Sequence, residues 1–179
     1  MKTFTSSSKH FVFLFAILVM ITIDVTASTQ TNRMRVGVYD SRAVAVAWGN
    51  STEFKEALKP IETEFRKAKE SKDEKRAKEL DGQMKLQQRR AHEQAFSTGS
   101  VAPIMERIKD RLPDIAKQAG VQIIVSKWEL NHQSSEVEVV DVTEKLVALF
   151  HVSERGLKWS KEVQQKPPLA IEQLSQHTD

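Results

Sequence analysis

Residues 51–97 constrain the fold more than any other part of the chain. Phe54, Ala57, Leu58, Ile61, Phe65 and Ala68 recur at intervals of three and four. That spacing lays them along one face of an amphipathic helix. A thinner stripe follows, with Ala77, Leu80, Met84, Ala91, Ala95 and Phe96 at nearly heptad intervals, as in a two-helix coiled coil. Two such stripes bury themselves by facing each other. The segment therefore predicts a long antiparallel helical hairpin, a coiled-coil arm over about 51–97. Ser51 or Thr52 is the expected N-cap, and the run STGS at 97–100 ends the second helix. Pro60 lies inside the first stripe, where it either bends the helix or marks its start. Two places suit the turn. Ser71 with Glu74 forms a capping box, and Asp81-Gly82 is a turn dipeptide. A turn near 71–73 makes the two helices equal in length and is preferred; 81–82 is the alternative.

The far end of this arm is charged rather than apolar. Residues 66–90 carry ten Lys and Arg against five Asp and Glu, a local excess of +5 in a chain whose formal charge is +3. Lys67, Lys69, Lys72, Lys75, Arg76, Lys78, Arg89 and Arg90 are the candidate basic arm tip. The sign reverses near the C-terminal strands, with Glu129, Glu136, Glu138, Asp141 and Glu144. A solvated helix with i,i+4 pairs such as Glu74–Lys78 explains the arm pattern as well as a binding patch does.

The N-terminus reads as a targeting segment. Lys2 and Lys9 precede an apolar run over 11–23, which ends in Val25-Thr26-Ala27. That is the layout of a secretory signal peptide cleaved after Ala27. The run is short for a spanning helix, which needs about 20 apolar residues; an uncleaved anchor is the rival reading. The mature chain is expected to begin near Ser28 and to work in the periplasm. With no cysteine there is no disulfide, no Cys-ligated zinc and no lipidated cysteine. Export argues against a nucleic-acid partner.

Around the arm, strands and helices are short. Residues 34–40 alternate as a strand; over 41–48 the Val44/Val46 alternation suggests more strand, while the alanines and the Asp40-Ser41 cap signal suggest a short helix, which is preferred. Residues 100–120 form a third helix, entered at Ser100 and Pro103, kinked at Pro113 and stopped by Gly120. Residues 121–128 read as a buried strand and 136–142 as its hairpin partner, with a turn at 131–135 between them. A helix capped by Asp141 or Thr143 follows, then a helical extension with a loose tail over 151–179. The expected fold is α+β and mostly helical: a small β body, completed by oligomerisation, bearing the arm. Its domains are a signal peptide over 1–27, a body with arm over 28–150, and an extension over 151–179. Val36, Val38, Ile123, Val125, Val137 and Val139 are the candidate oligomer body, because so small a sheet leaves edges to cover.

Little of the chain suggests catalysis or a metal. His92 begins a zincin-like HExx pattern, but Phe96 stands where the second histidine would be. His132 and His151 are isolated in sequence, and no glycine-rich phosphate loop or nucleophile motif occurs. Asn50-Ser51-Thr52 matches a glycosylation sequon. No cofactor and no enzymatic activity are expected; a secreted hydrolase is the least supported class.

Three pieces of the chain, in order and behind the signal segment, resemble the Skp/OmpH family of periplasmic chaperones. They are RVGVYDSRAV, the charged hairpin, and IAKQAGVQIIVSKWEL followed by VDVTEKLV, with Asp141, Thr143 and Leu146 at the family's Asp-x-Thr and final apolar helix. The likeness covers about 36–149. It implies a homotrimer whose strands form a central body and whose three arms enclose unfolded outer-membrane proteins without ATP. It carries over no catalytic residue. The arm here is shorter, STGS interrupts the returning helix, and the segment 151–179 extends the family core.

A holdase works through many weak apolar contacts in a protected space. Phe54, Leu58, Ile61, Phe65, Leu80, Met84 and Phe96 are the client-binding candidates, although packing of the arm helices on each other accounts for such a stripe too. The basic arm would add attraction for acidic clients or an anionic membrane surface. A non-catalytic coiled-coil adaptor or structural protein of the cell envelope is the alternative.

Overall fold

The computed structural model describes residues 33–174. The signal segment lies outside the described residues, as does the end of the tail beyond 174. Strand β1 (Arg35–Tyr39) leads directly into helix α1 (Ser41–Gly49). Asp40 caps α1, its carboxylate accepting from the Arg42 amide at 3.0 Å. Helix α2 (Thr52–Glu70) and helix α3 (Glu74–Phe96) form the arm region. Then come α4 (Ala102–Arg107), a 3-10 turn (Lys109–Arg111) and α5 (Leu112–Ala119). Strands β2 (Ile123–Ser126) and β3 (Glu138–Asp141) are followed by α6 (Thr143–Val147), α7 (Glu154–Gln164) and α8 (Ile171–Leu174). The fold is thus α+β and mostly helical, with one small sheet. Among the described residues no helix is long and apolar enough to cross a membrane.

The sheet corrects one expectation. Residues 121–128 and 136–142 do not make a hairpin. The strand order is β2-β1-β3, and both outer strands run parallel to β1. Residues 127–137 therefore step across β1 instead of turning back. Gln122 explains part of this choice: β1 offers two edges, and the Arg35 amide donates to the Gln122 side chain at 2.8 Å while the Gln122 amide donates to the Arg35 carbonyl at 2.9 Å. Arg35 also reaches the carbonyls of Ala119 and Gly120, both at 3.0 Å, and pairs with Glu138 at 2.9 Å. One side chain thus ties the end of α5, a site that favours a cation, to β1 and β3. Nor is β2 a buried strand: it is an edge, and Ile123 is 44% exposed.

Helix α1 is the hub of the core. Ala43, Val44, Ala45 and Ala47 are buried, and so are Ser41 and Arg42. The alanines of α1 let neighbouring elements approach closely, and Arg42 is buried with Asp40 as its counter-ion. Val101, Ile104, Ile108, Ile115, Val142, Leu146, Val147 and Phe150 complete this core. Helix α7 crosses α1 closely: the Ser160 hydroxyl donates to the Ala43 carbonyl at 3.0 Å, and Gly156 is buried. A methyl group on Gly156 would lie 2.5 Å from Val152 and 2.8 Å from Asn50. Val152 and Val163 thus pack on this core, and Leu174 is buried farther along the chain.

Three helix boundaries differ from the sequence reading. The turn does fall at residues 71–73, but Asp73 caps α3, accepting from the Arg76 amide at 3.0 Å, while Ser71 closes α2. Lys72 supplies the reversal with φ of 58°, and Gly82 lies inside α3. Residues 100–120 form two helices and a 3-10 turn rather than one kinked helix, since Pro113 cannot donate across the break and sits instead in the first turn of α5. Gly120 ends α5 in the left-handed region, φ 64°. Pro60 is accommodated within α2. Val142 occupies the N-cap position of α6, while the Asp141 carboxylate accepts from the Thr143 amide at 2.8 Å.

Candidate functional site

Ser51 fixes the root of the arm. Its hydroxyl accepts from the Phe54 amide at 3.1 Å and donates to the Trp48 carbonyl at 2.7 Å. The Thr52 amide donates to the His151 carbonyl at 3.1 Å, and the Glu53 carboxylate meets the His151 ring. The hydrogen bond from His151 holds the Glu53 carboxyl below its ordinary value. His151, isolated in sequence, thus has a partner in space. Asn50, the sequon residue, is turned inward and donates to the Val46 carbonyl at 2.8 Å.

The client-binding candidates divide into two groups. Leu80 is only 1% exposed and packs with Ala68 and Ala77, against Ile61 and Phe65. These residues form a second, small core between α2 and α3, and Arg76 pairs across it with Glu64 at 2.6 Å. Phe54, Leu58 and Met84 instead line a groove of about 300 Å³ between the same helices, and Ile61 belongs to both places. At the arm root this gives way to a largely apolar groove of about 560 Å³, lined by Phe54, Ala91, Ala95, Phe96, Trp159 and Val163 among others. Phe96 is 46% and Trp159 39% exposed there. Trp159 was missed by sequence reasoning because it lies in the segment read as an extension. Its signal was the pairing of Leu157 and Trp159 with few other apolar neighbours, which a helix with one buried face does not require.

The basic residues of the arm stand in solvent. Lys67, Lys69, Lys72, Lys75, Arg76, Lys78, Arg89 and Arg90 are all exposed. Among the described residues only Arg76 of these eight forms an ion pair, with Glu64 and Glu79. The remaining seven therefore present unneutralised positive charge.

The sheet register sorts the oligomer candidates. Val36 pairs with Ile123 and Val139, and Val38 with Val125. With a side-chain period of two, these five share one face. Tyr39, Ile124 and Val140 belong to the opposite face, packed on the core. Val36 and Val38 are buried; Val125 and Val139 are half-buried, and so is Val137, just before β3. Parallel sheets normally have both faces covered, so the exposure of Ile123 marks the uncovered corner.

A polar cluster that sequence reasoning did not assemble lies at the end of β1. Asp40 and Arg42 are each 1% exposed and form a bidentate pair at 3.1 and 2.9 Å. Lys127 reaches the same carboxylate at 2.8 Å, and the Trp128 indole donates to it at 3.1 Å. The Asp40 amide donates to the Thr143 hydroxyl at 3.0 Å. Burial alone would raise the Asp40 carboxyl, but the hydrogen bonds from Arg42, Lys127 and Trp128 hold it at about 2. The guanidinium of Arg42 and the ammonium of Lys127 also lie 4.7 and 4.5 Å from the Trp128 ring. This cluster joins β1, β2 and α6, the three short pieces YD, SKW and DVT.

No protein-family model, no curated protein and no solved structure matches the chain.

Proposed function

We propose that the chain is an ATP-independent holdase of a bacterial periplasm that keeps unfolded outer-membrane or envelope proteins from aggregating. The observation that carries this reading is the open apolar groove at the arm root, where Phe96 and Trp159 face solvent beside an arm with seven unpaired cations. Aromatic side chains give large contact area at low conformational cost, and the cations would draw in acidic clients or an anionic membrane surface. In this reading α2 and α3 form an antiparallel helical hairpin with its tip at Lys72. The sheet face of Val36, Val38, Ile123, Val125 and Val139 supports a homotrimeric body, in the manner of the Skp/OmpH family. Neither an enzymatic step nor a cofactor nor a nucleic acid belongs to this function.

One observation favours the adaptor reading instead. Phe65 and Leu80 are spent on packing the arm helices together, which suits a spacer. Binding of a fluorescently labelled, urea-unfolded outer-membrane protein separates the two. The holdase binds it, and the double variant Phe96→Ser, Trp159→Ser, with unchanged circular dichroism, binds at least tenfold more weakly. Equal binding by that variant would remove the groove from the mechanism; no binding by the wild type would leave the adaptor.

A further inference from the structure

Trp128 separates the Asp40 cluster from a cavity of about 450 Å³ at the C-terminal ends of β1 and β2. Open parallel sheets place their ligands at this end, and the volume lies within the range of small-molecule sites. Tyr39, Ser41, Thr98, Ser100, Ser126, Trp128 and Glu129 contribute its polar wall. Tyr39 is 7% and Ser41 4% exposed. Among the described residues neither hydroxyl has a hydrogen-bond partner in the chain, and neither oxygen is closed off from the cavity, so both are open to a ligand there. The Ser100 and Ser126 hydroxyls accept from the amides of Ala102 and Trp128, both at 3.3 Å, which leaves their protons free to donate. Met105, Leu112 and Ile124 supply an apolar patch beside them.

Charge narrows the ligand. No Lys or Arg lines the cavity; Arg42 and Lys127 are turned onto Asp40. The one ionised group in the wall is Glu129, and burial together with its negative charge raises the Tyr39 hydroxyl above the ordinary phenol value. The wall thus offers five hydroxyl groups, those of Tyr39, Ser41, Thr98, Ser100 and Ser126, and one carboxylate acceptor, with no counter-charge for an anion.

We propose that this cavity binds a hydroxyl-rich small molecule of hexose size, neutral or carrying an amine. Sugar oxygens accept from Tyr39, Ser41, Ser100 and Ser126, a sugar hydroxyl or ammonium donates to Glu129, and the apolar face of the ring covers the patch of Ile124. The site is independent of the arm, so its failure and that of the holdase reading are separate results.

The test is saturation-transfer NMR on the full chain with methyl glucoside, glucosamine and glucose 6-phosphate. The proposal expects saturable binding of the first two, tighter for glucosamine because its ammonium pairs with Glu129, and weaker or no binding of the phosphate. Tyr39→Phe should weaken binding roughly two- to tenfold, the worth of one hydrogen bond. Glu129→Gln, at an exposed position where folding is not at risk, should abolish the preference for glucosamine over its neutral counterpart. Absence of saturation at tens of millimolar for both uncharged and amine sugars overturns the proposal. So does tightest binding of the phosphate, or wild-type binding in both variants.

Discussion

Replacing Asp40 by Asn removes one negative charge from a site that holds two cations, and it leaves the shape and the capping oxygen in place. Arg42, 1% exposed, would then keep its charge without a counter-ion. Breaking a buried pair from one side costs about 3–5 kcal/mol. A second route gives a similar size. Asp40 titrates at about 2 in the fold against 3.8 without it, and at ~1.4 kcal/mol per pH unit that difference is worth about 2–3 kcal/mol. Because the folded value is depressed, this stabilisation is complete above pH 4–5 and is lost as pH falls from about 4 to about 2. Urea unfolding followed by circular dichroism measures it. Near neutral pH, Asp40→Asn should lose about 2–5 kcal/mol, or roughly 5–20 °C in Tm. The gap between wild type and variant should close as pH falls through that window. A loss under about 1 kcal/mol, with a gap that ignores pH, would refute the assignment of Asp40 as the buried charge that holds β1, β2 and α6 together.

Other perturbations probe other joints. Gly156→Leu should cost about 1–3 kcal/mol by overpacking the crossing of α1 and α7, read as a lower Tm. Lys72→Gly should stabilise the arm by up to about 1 kcal/mol, because glycine takes the left-handed turn without the Cβ penalty; slower amide exchange near the turn would report it. Leu80→Ala should cost about 2–4 kcal/mol locally. Its exchange signature should stay within α2 and α3, since Leu80 belongs to the arm's own core and not to that of α1. Ile123→Lys should dissociate the proposed trimer in sedimentation, and a wild-type chain that sediments as a monomer would end the trimer reading.

What was legible in the sequence was what local spacing determines. The arm helices, the turn at 71–73, the Ser51 cap and the Gly120 stop each rest on residues a few positions apart, and each appears in the fold. The cap of α3 was assigned to Ser71 rather than Asp73 because both precede an acidic helix start and only geometry separates them. The sheet was misread for a different reason. Strands of four or five residues carry too few alternations to tell a hairpin from two edges of a third strand, and the deciding contacts between Arg35 and Gln122 join residues 87 positions apart. The polar cluster was invisible on the same grounds. Asp40, Lys127 and Thr143 come from three segments, and no rule of spacing links them. Trp159 was not legible because it lies more than sixty residues from Phe96, and only the fold brings the two to one groove.

Light scattering of an outer-membrane protein diluted out of urea tests the central claim most directly. With the full chain present at a stoichiometry of about one trimer per client, and without nucleotide, the account predicts a flat trace. A trace that rises as fast as that of the client alone would contradict it.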